Sequence, residues 1–150
     1  MVDVVDAATR SRMMSGIRGG NTKPERVLRL GLHRLGLRYR LHGGSAALPG
    51  RPDLIFPKYR AAVLIHGCFW HGHDCHLFRW PATRPEFWRQ KIASNTERDA
   101  RQIAALRADG WRVAVVWECA LKGAGANVPD VCDSVAEWIR HGDSTLELRG

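Results

Sequence analysis

The segment from Trp111 to Trp117 most constrains how this chain of 150 residues can fold. It reads WRVAVVW, so it is rich in β-branched and aromatic residues and nearly all apolar. Such a strand is typical of the centre of a sheet that is covered on both faces. The rest of the chain must therefore supply further strands beside it and helices on both sides of it.

The first half of the chain supplies a helix and three strands. Thr22 to Glu25 has the form of a capping box, and apolar residues follow at helical spacing until Gly36 ends the helix. Strict alternation from Leu37 to Leu41 indicates a half-buried strand. Two further strands are predicted at Pro52 to Phe56 and at Ala61 to His66, joined by a tight turn.

The second half supplies two helices around the central strand. A second capping box, Thr83 to Glu86, predicts a long helix that bends near Asn95 and ends at 109–110. The apolar face of residues 131–139 predicts a terminal helix that ends at Gly142. The order α-β-β-β-α-β-α indicates an α/β fold with a mixed central sheet flanked by helices. We expect one domain over 1–150, with a separate N-terminal segment at 1–20 and a tail at 143–150.

Charge and cysteine usage narrow the class of protein. Lys and Arg exceed Asp and Glu by 23 to 15, a net charge of +8, so a polyanion is the natural partner, although a merely basic soluble protein is the alternative. The sequence has no apolar run typical of a signal peptide or a membrane span, which favours a cytoplasmic protein. In that compartment thiols stay reduced, so the four cysteines are expected to be metal ligands or buried apolar groups.

The stretch 66–76, HGCFWHGHDCH, carries four histidines and two cysteines. A structural zinc ion takes four ligands, so these residues must divide between more than one task. The predicted strands bring Asp53 near His66, and a carboxylate with a neighbouring backbone carbonyl suits Mg²⁺. The alternative for Asp53 is an ordinary solvated carboxylate in a turn.

Five motifs resemble those of the very-short-patch-repair (Vsr) DNA mismatch endonucleases, a branch of the PD-(D/E)xK nuclease superfamily. The resemblance covers about residues 3–122. The resemblance implies a restriction-endonuclease-like αβββαβ core, in agreement with the predicted order. The motifs are LPGRPDLIF (48–56), HGCFWHGHDCHLF (66–78), PATRPEFW (81–88), NTERD (95–99) and GWRVAVVWECAL (110–121).

The resemblance also implies the active site. Asp53 and the backbone carbonyl of Ile65 would bind Mg²⁺, His71 would be the base for the attacking water, and His66 would lie beside it. Ile65 stands where the family has Thr, a change that a backbone ligand tolerates. Neither the second acid nor the lysine of the superfamily motif is present, so histidine must transfer the proton. Two polar residues would surround the water at the metal: Glu25 and Asn95. For Glu25, a simple role in the capping box is the alternative.

A structural zinc site and a DNA-binding surface complete the implied set. The four zinc ligands would be His73, Cys75, Asp99 and Cys119. Cys68 and Cys132 are then expected to be buried apolar groups, and His76 has no role. The DNA-binding residues would be Phe69, Trp70 and Trp88, which wedge into the base stack, and from the basic segment 9–18 a methionine (Met13 or Met14) with Arg10, Arg12 and Arg18. Packing in the core is the alternative for the aromatic residues.

The resemblance implies a Mg²⁺-dependent endonuclease that nicks 5′ to the thymine of a T·G mismatch arising from 5-methylcytosine deamination. Its partner would be double-stranded DNA, bound by a monomer associated with the nucleoid. A functional link to a cytosine-5 methyltransferase and a repair polymerase would follow. Two alternatives remain: a restriction-type endonuclease on the same fold that needs no mismatch, and a non-catalytic, zinc-bearing DNA-binding module.

Overall fold

The computed structural model of the protein describes residues 22–41, 48–123 and 125–150. The described part contains four α-helices, five β-strands and a short 3-10 turn at Pro57–Tyr59. The N-terminal segment 1–20, with the residues predicted to contact DNA, lies outside the described residues. In chain order the elements are α1 (Lys23–Arg34), β1 (Arg40–Leu41), β2 (Leu54–Phe56), β3 (Ala61–His66), α2 (Pro85–Ala108), β4 (Arg112–Trp117), α3 (Glu118–Leu121), α4 (Val128–His141) and β5 (Leu146–Leu148).

The five strands form one mixed sheet in the order β1-β2-β3-β4-β5. Strand β2 is antiparallel to both β1 and β3, whereas β4 is parallel to both β3 and β5. Helix α2 therefore connects β3 to β4, and α4 connects β4 to β5, as parallel pairs require. The predicted mixed α/β sheet with flanking helices is confirmed.

Strand β4 is covered on both faces, as its apolar sequence predicts. Val113 and Val115 lie in the apolar cluster beneath α2, whereas Ala114 and Val116 lie in the larger cluster beneath α1 and α4. The alternation of side chains along a strand places these two pairs on opposite faces. The molecule thus has three layers, with the sheet between α2 on one side and α1 with α4 on the other.

The beginnings and ends of the helices test the predicted caps. Thr22 Oγ1 accepts a hydrogen bond from the backbone N–H of Glu25 at 3.4 Å, which confirms the first cap. Gly36, with φ of 90°, follows the end of α1 as expected. The second capping box is wrong: α2 begins at Pro85, and Arg84 precedes it in the left-handed region with no side-chain cap. Proline at the first helical position determines this start.

Other differences concern element length. Helix α2 runs for 24 residues without an interruption at Asn95. Residues 143–150, expected to be a tail, contain β5, which pairs with the edge of β4. Three residues are too few for a periodic signal, and so are the four of α3. No helix in the described ranges is long and apolar enough to cross a membrane.

The parallel register of β3 and β4 positions the functional groups. His66, the last residue of β3, is paired with Trp117, the last residue of β4. The loop after His66 and helix α3 after Trp117 therefore leave the sheet side by side. Because the carboxyl ends of parallel strands meet at one edge, residues from both segments come together there.

Candidate functional site

A cleft of about 830 Å³ lies at this edge of the sheet. It brings together Asp53 before β2, Ile65 in β3, His71 in the following loop and Glu25 of α1, which are far apart in sequence. Most of the residues that the resemblance assigns to catalysis therefore share one cleft. Its other lining residues are Thr22, Pro24, Gly67, Phe69, Trp70, Leu77, Lys91, Asn95, Arg98, Glu118 and Lys122.

Asp53 is held at the cleft by the pairing of β2 with β3. Its Oδ2 atom accepts a hydrogen bond from the backbone N–H of Ile65 at 2.7 Å. This bond fixes the carboxylate beside the end of β3, as the strand prediction requires. Glu25, 2% exposed, adds a second carboxylate to the same cleft while its N–H serves the cap of α1. Carboxylate and carbonyl oxygens are the donors that Mg²⁺ prefers, so this part of the cleft fits that ion.

Two stacked histidines form the other side of the site. The rings of His66 and His71 are 4.0 Å apart and 3° from parallel. The pKa of His66 is lowered to about 3, mainly by burial and secondarily by the nearby His71. Its imidazole is therefore neutral. Its Nδ1 atom is buried and has no hydrogen-bond partner among the described residues. Such an unsatisfied buried atom is typical of a functional site.

His71 has a carboxylate partner. Its Nδ1 atom contacts Oδ2 of Asp99, which projects from α2. A carboxylate on one ring nitrogen orients the imidazole and leaves the other nitrogen to accept a proton. Ligand atoms of His66, His71 and Asp99 lie within 4.8 Å of one another. The arrangement is suited to a general base.

The loop after β3 folds back on itself. The backbone N–H of His71 donates to the carbonyl of Gly67, and that of His73 donates to the carbonyl of Cys68. Between them, Gly72 has φ of 63°, and a Cβ atom there would lie 2.6 Å from Cγ2 of Ile92. Glycine is therefore required by both the turn and the close packing on α2. The turn at Gly72 places His71 at the cleft and His73 on the opposite side of the loop.

A second cluster lies behind this loop, and it differs from the predicted zinc site. Its four members offer ligand atoms within 4.8 Å of one another: Cys68, His73, Cys75 and Cys119. Asp99 does not join them, because it contacts His71, and Cys68 takes the fourth place. Cys68 is buried as expected, and its Sγ atom lies among the ligand atoms of this cluster. Three cysteines and one histidine are a donor set for tetrahedral zinc.

Burial shifts the pKa values of two members of the cluster. Burial raises the pKa of the Cys68 thiol and lowers the pKa of His73. Cysteine binds a metal as the thiolate and histidine as the neutral imidazole, and a bound divalent ion stabilises the thiolate form. Cys119 Sγ lies 3.5 Å from His73 Nδ1 and also accepts from the backbone N–H of Gly150 at 3.3 Å. The cluster thus joins the loop, α3 and the end of the chain after β5.

Trp117 lies between the two clusters, a role that the sequence analysis missed. Its ring stacks on His73 at 3.9 Å and meets the ring of His66 edge-on at 5.1 Å. Its Nε1–H donates to Glu147 Oε2 at 2.9 Å. The next residue, Glu118, accepts from the backbone N–H of Cys68 at 3.2 Å. Their position directly before Cys119 was a usable signal, but Trp117 was interpreted only as part of the central strand.

The aromatic residues form one packed group beside the cleft. Phe69 meets the rings of Trp70 and Trp88 at 5.1 and 5.3 Å. Phe69 and Trp70 are partly exposed and line the cleft, whereas Trp88 is only 7% exposed. Asn95 is also buried, and its Nδ2–H donates to the carbonyl of Trp70 at 2.9 Å. Trp88 and Asn95 therefore support the exposed rings from behind.

The other residues singled out in the sequence lie outside the cleft and the Cys/His cluster or outside the described residues. Met13, Met14, Arg10, Arg12 and Arg18 lie outside the described residues, so the structure does not place them. Cys132 is buried between α1 and α4, as expected. His76 is exposed and belongs to neither cluster.

Comparison with known proteins identifies the chain. A family model described as DNA mismatch endonuclease Vsr matches residues 2–77. The DNA mismatch endonuclease Vsr of Escherichia coli (strain K12) is 47% identical over 140 residues, covering 93% of this chain and 88% of the relative. The type II nicking enzyme V.XorIIP of Xanthomonas oryzae pv. oryzae is 47% identical over 126 residues, covering 84% and 91%. The type II nicking enzyme V.NmeAIP of Neisseria meningitidis is 41% identical over 122 residues, covering 81% and 86%.

The site and these relatives define the class first: the chain is an enzyme, and it is a DNA endonuclease. More particularly, it belongs to the DNA mismatch endonuclease Vsr family. The family resemblance drawn from its motifs is confirmed. A Cys/His cluster that can hold a metal ion is likewise present.

Proposed function

We propose that this protein is a Mg²⁺-dependent endonuclease that nicks one strand of duplex DNA 5′ to the thymine of a T·G mismatch. Such mismatches arise when 5-methylcytosine deaminates, and the nick would start very short patch repair. The observation that carries the proposal is the cleft lined by both Asp53 and His71, whose Nδ1 atom contacts Asp99. The E. coli relative, a mismatch endonuclease by name, supports the choice of substrate.

The proposed chemistry assigns a separate role to each side of the cleft. Asp53 and the backbone carbonyl of Ile65 would hold Mg²⁺, which when bound stabilises the charge that develops on the phosphate. His71 accepts the proton of the attacking water at Nε2, because its Nδ1 atom is engaged by Asp99. Asp99 then stabilises the imidazolium as it forms. His66, which is neutral, keeps the neighbouring ring in place without adding a second positive charge.

We propose that the second cluster is a structural zinc site. Cys68, His73, Cys75 and Cys119 would hold Zn²⁺ with no open position, which is typical of a structural site. Asp99 is assigned to His71 instead of to zinc, because its carboxylate contacts that ring. Zinc would brace the loop that carries His71, on a core of the restriction-endonuclease type.

The aromatic residues beside the cleft are assigned to mismatch recognition. Phe69 and Trp70 are partly exposed there and would enter the base stack, with Trp88 behind them. Opening the stack costs a few kcal/mol per step and costs least where pairing is faulty. A wedge of this kind therefore favours a mismatch over paired DNA. The protein would act as a monomer in the cytoplasm, in a pathway that includes a cytosine-5 methyltransferase and a repair polymerase.

A second candidate function is nicking of DNA without a mismatch. It is considered because two relatives are named type II nicking enzymes, a name that mentions no mismatch. A non-catalytic DNA-binding module is not retained, because the chain is an endonuclease.

A substrate panel distinguishes the two candidates. Duplexes of one sequence, labelled on each strand, would carry T·G, every other mismatch or a fully paired site, with Mg²⁺ or with a chelator. The proposal expects Mg²⁺-dependent nicking of the thymine strand at T·G and little at the paired site. Equal nicking of paired DNA would favour the second candidate, and nicking that persists in the chelator would contradict the role of Mg²⁺.

A further inference from the structure

A chain of ring contacts leads from the cleft to the outer surface of the molecule. Phe69, which lines the cleft, stacks on Phe78 with ring centroids 5.8 Å apart. Phe78 in turn meets Trp80 edge-on at 4.9 Å. Trp80 is 51% exposed, more than any other tryptophan of the described residues. The ring of Trp80 is therefore continuous with the proposed wedge but lies outside it.

Positive charge accompanies this exposed ring. The guanidinium carbon of Arg89, on α2, lies 6.0 Å from the centroid of the Trp80 ring. Arg79, Arg84 and Arg89 are all exposed, and the segment 79–91 contains four Lys or Arg residues against the single acidic residue Glu86. An apolar ring among cations is poorly suited to a protein core but well suited to a polyanion that also has apolar surface.

We infer that Trp80 and Arg89 form a second DNA contact, on the paired duplex that flanks the nicking site. Arg89 binds a backbone phosphate, and Trp80 packs against the adjacent deoxyribose. The bases of a paired flank stay stacked, so a ring that lies outside the wedge meets the sugar and not a base face. Such contacts fix the position and direction of the enzyme on the duplex but read no sequence. The inference rests on the proposed function, which places DNA in the cleft.

The contact would fix the direction in which the duplex lies on the enzyme, and therefore which strand meets the cleft. The wedge at Phe69 and Trp70 locates the mismatch, but one point of contact leaves the direction of the duplex open. Trp80 and Arg89 lie to one side of the wedge, so they engage the flank on that side only. A duplex that is shortened on this side loses the contact, whereas a duplex that is shortened on the other side keeps it.

The test compares Trp80→Ala and Arg89→Ala with a matched control, Leu30→Ala, because Leu30 on α1 is similarly exposed at 53%. Dissociation constants for long duplexes with a T·G or a paired site would be measured at several salt concentrations. Trp80→Ala should weaken binding to both duplexes by about three- to tenfold without changing the salt dependence. Arg89→Ala should weaken binding to both and reduce the slope of log K against log salt by about one.

Flank length supplies the second measurement. For the unsubstituted enzyme, affinity should fall about three- to tenfold when one flank is shortened in single base-pair steps past the contact. For the double variant Trp80→Ala with Arg89→Ala the same shortening should have little effect, because both parts of the contact are already absent. Trp80→Phe, which retains a ring, should behave like the unsubstituted enzyme in both measurements.

The inference is overturned if Trp80→Ala and Arg89→Ala, with unchanged melting temperatures, bind both duplexes as tightly as Leu30→Ala does. It is also overturned if the loss is confined to T·G duplexes, since the ring would then belong to the wedge. Failure of the proposed function looks different: the unsubstituted enzyme would itself bind T·G and paired DNA equally or would not nick T·G.

Discussion

The contact between Asp99 and His71 determines which nitrogen of the imidazole serves the cleft. With Nδ1 engaged by the carboxylate, only Nε2 can accept a proton from water. The same contact removes Asp99 from the Cys/His cluster, where Cys68 completes the set of four. The proposed catalytic site thus depends on Asp99 and the proposed zinc site on Cys68. Substituting one residue at a time distinguishes the two roles.

Asp99→Asn should lower the single-turnover rate of nicking by at least about a hundredfold, because an amide neither orients nor stabilises the imidazolium as a carboxylate does. Its zinc content, measured by elemental analysis, should be unchanged. Cys68→Ser is the matched variant and should lose zinc. Zinc loss from Asp99→Asn with full retention by Cys68→Ser would return Asp99 to the zinc site.

Trp70→Ala tests the wedge. Base–aromatic stacking is worth roughly 1 to 3 kcal/mol, so nicking of T·G duplexes should fall about ten- to a hundredfold while binding to paired DNA changes much less. Melting temperature and the ratio of T·G to paired affinity would be measured on one preparation. An unchanged ratio in a folded protein would exclude the wedge.

At the scale of elements, α1 and α4 pack at a close approach that depends on Gly31. A Cβ atom at Gly31 would lie 2.3 Å from Sγ of Cys132. The thiol is buried, so moving it away presses it against other core side chains. This contact holds together the layer that covers one face of the sheet and carries Glu25.

Gly31→Ala should therefore lower the free energy of unfolding by about 1 to 3 kcal/mol, measured by urea denaturation. The sign of this change tests the close approach, because Gly→Ala at an open helix position raises the free energy of unfolding by about 1 kcal/mol. The double variant Gly31→Ala with Cys132→Ala should recover part of the loss. Stabilisation by Gly31→Ala alone would contradict the close approach.

At the scale of the whole molecule, the Cys/His cluster joins three segments that the sheet alone does not hold. These are the loop after β3, helix α3 with Cys119, and the residues after β5, where the N–H of Gly150 donates to Cys119 Sγ. Trp117 connects the cluster to the histidine pair through its contacts with His73 and His66. Metal binding by such a cluster is part of the folding free energy, about 10 kcal/mol for structural zinc.

Removal of zinc with a strong chelator should lower the melting temperature by about 10 °C or more and abolish nicking, because the loop that carries His71 loses its support. Adding Zn²⁺ back should restore both, whereas Mg²⁺ alone should restore neither. Freshly purified protein that contains no zinc and nicks normally would contradict a structural zinc site.

Several features follow from the sequence alone, because local physical chemistry specifies them. The apolar runs of β3 and β4 are stable only as strands of a sheet that is covered on both faces. The beginning of α1 at Thr22 and its end before Gly36 depend only on neighbouring residues. The place of Asp53 beside Ile65 follows from hairpin pairing of adjacent strands. The five sequence motifs then identify the family.

Other features were decided only by the tertiary structure. Strand β5 and helix α3 are too short to leave a periodic signal, and β5 exists because α4 returns the chain to the open edge of β4. The positions of Asp99 and Cys68 relative to the two clusters also depend on the tertiary structure. Residue type makes each a possible zinc ligand, and they are 31 positions apart in sequence. Only the packing of α2 against the loop determines that Asp99 faces His71 while Cys68 turns inward to meet Cys119.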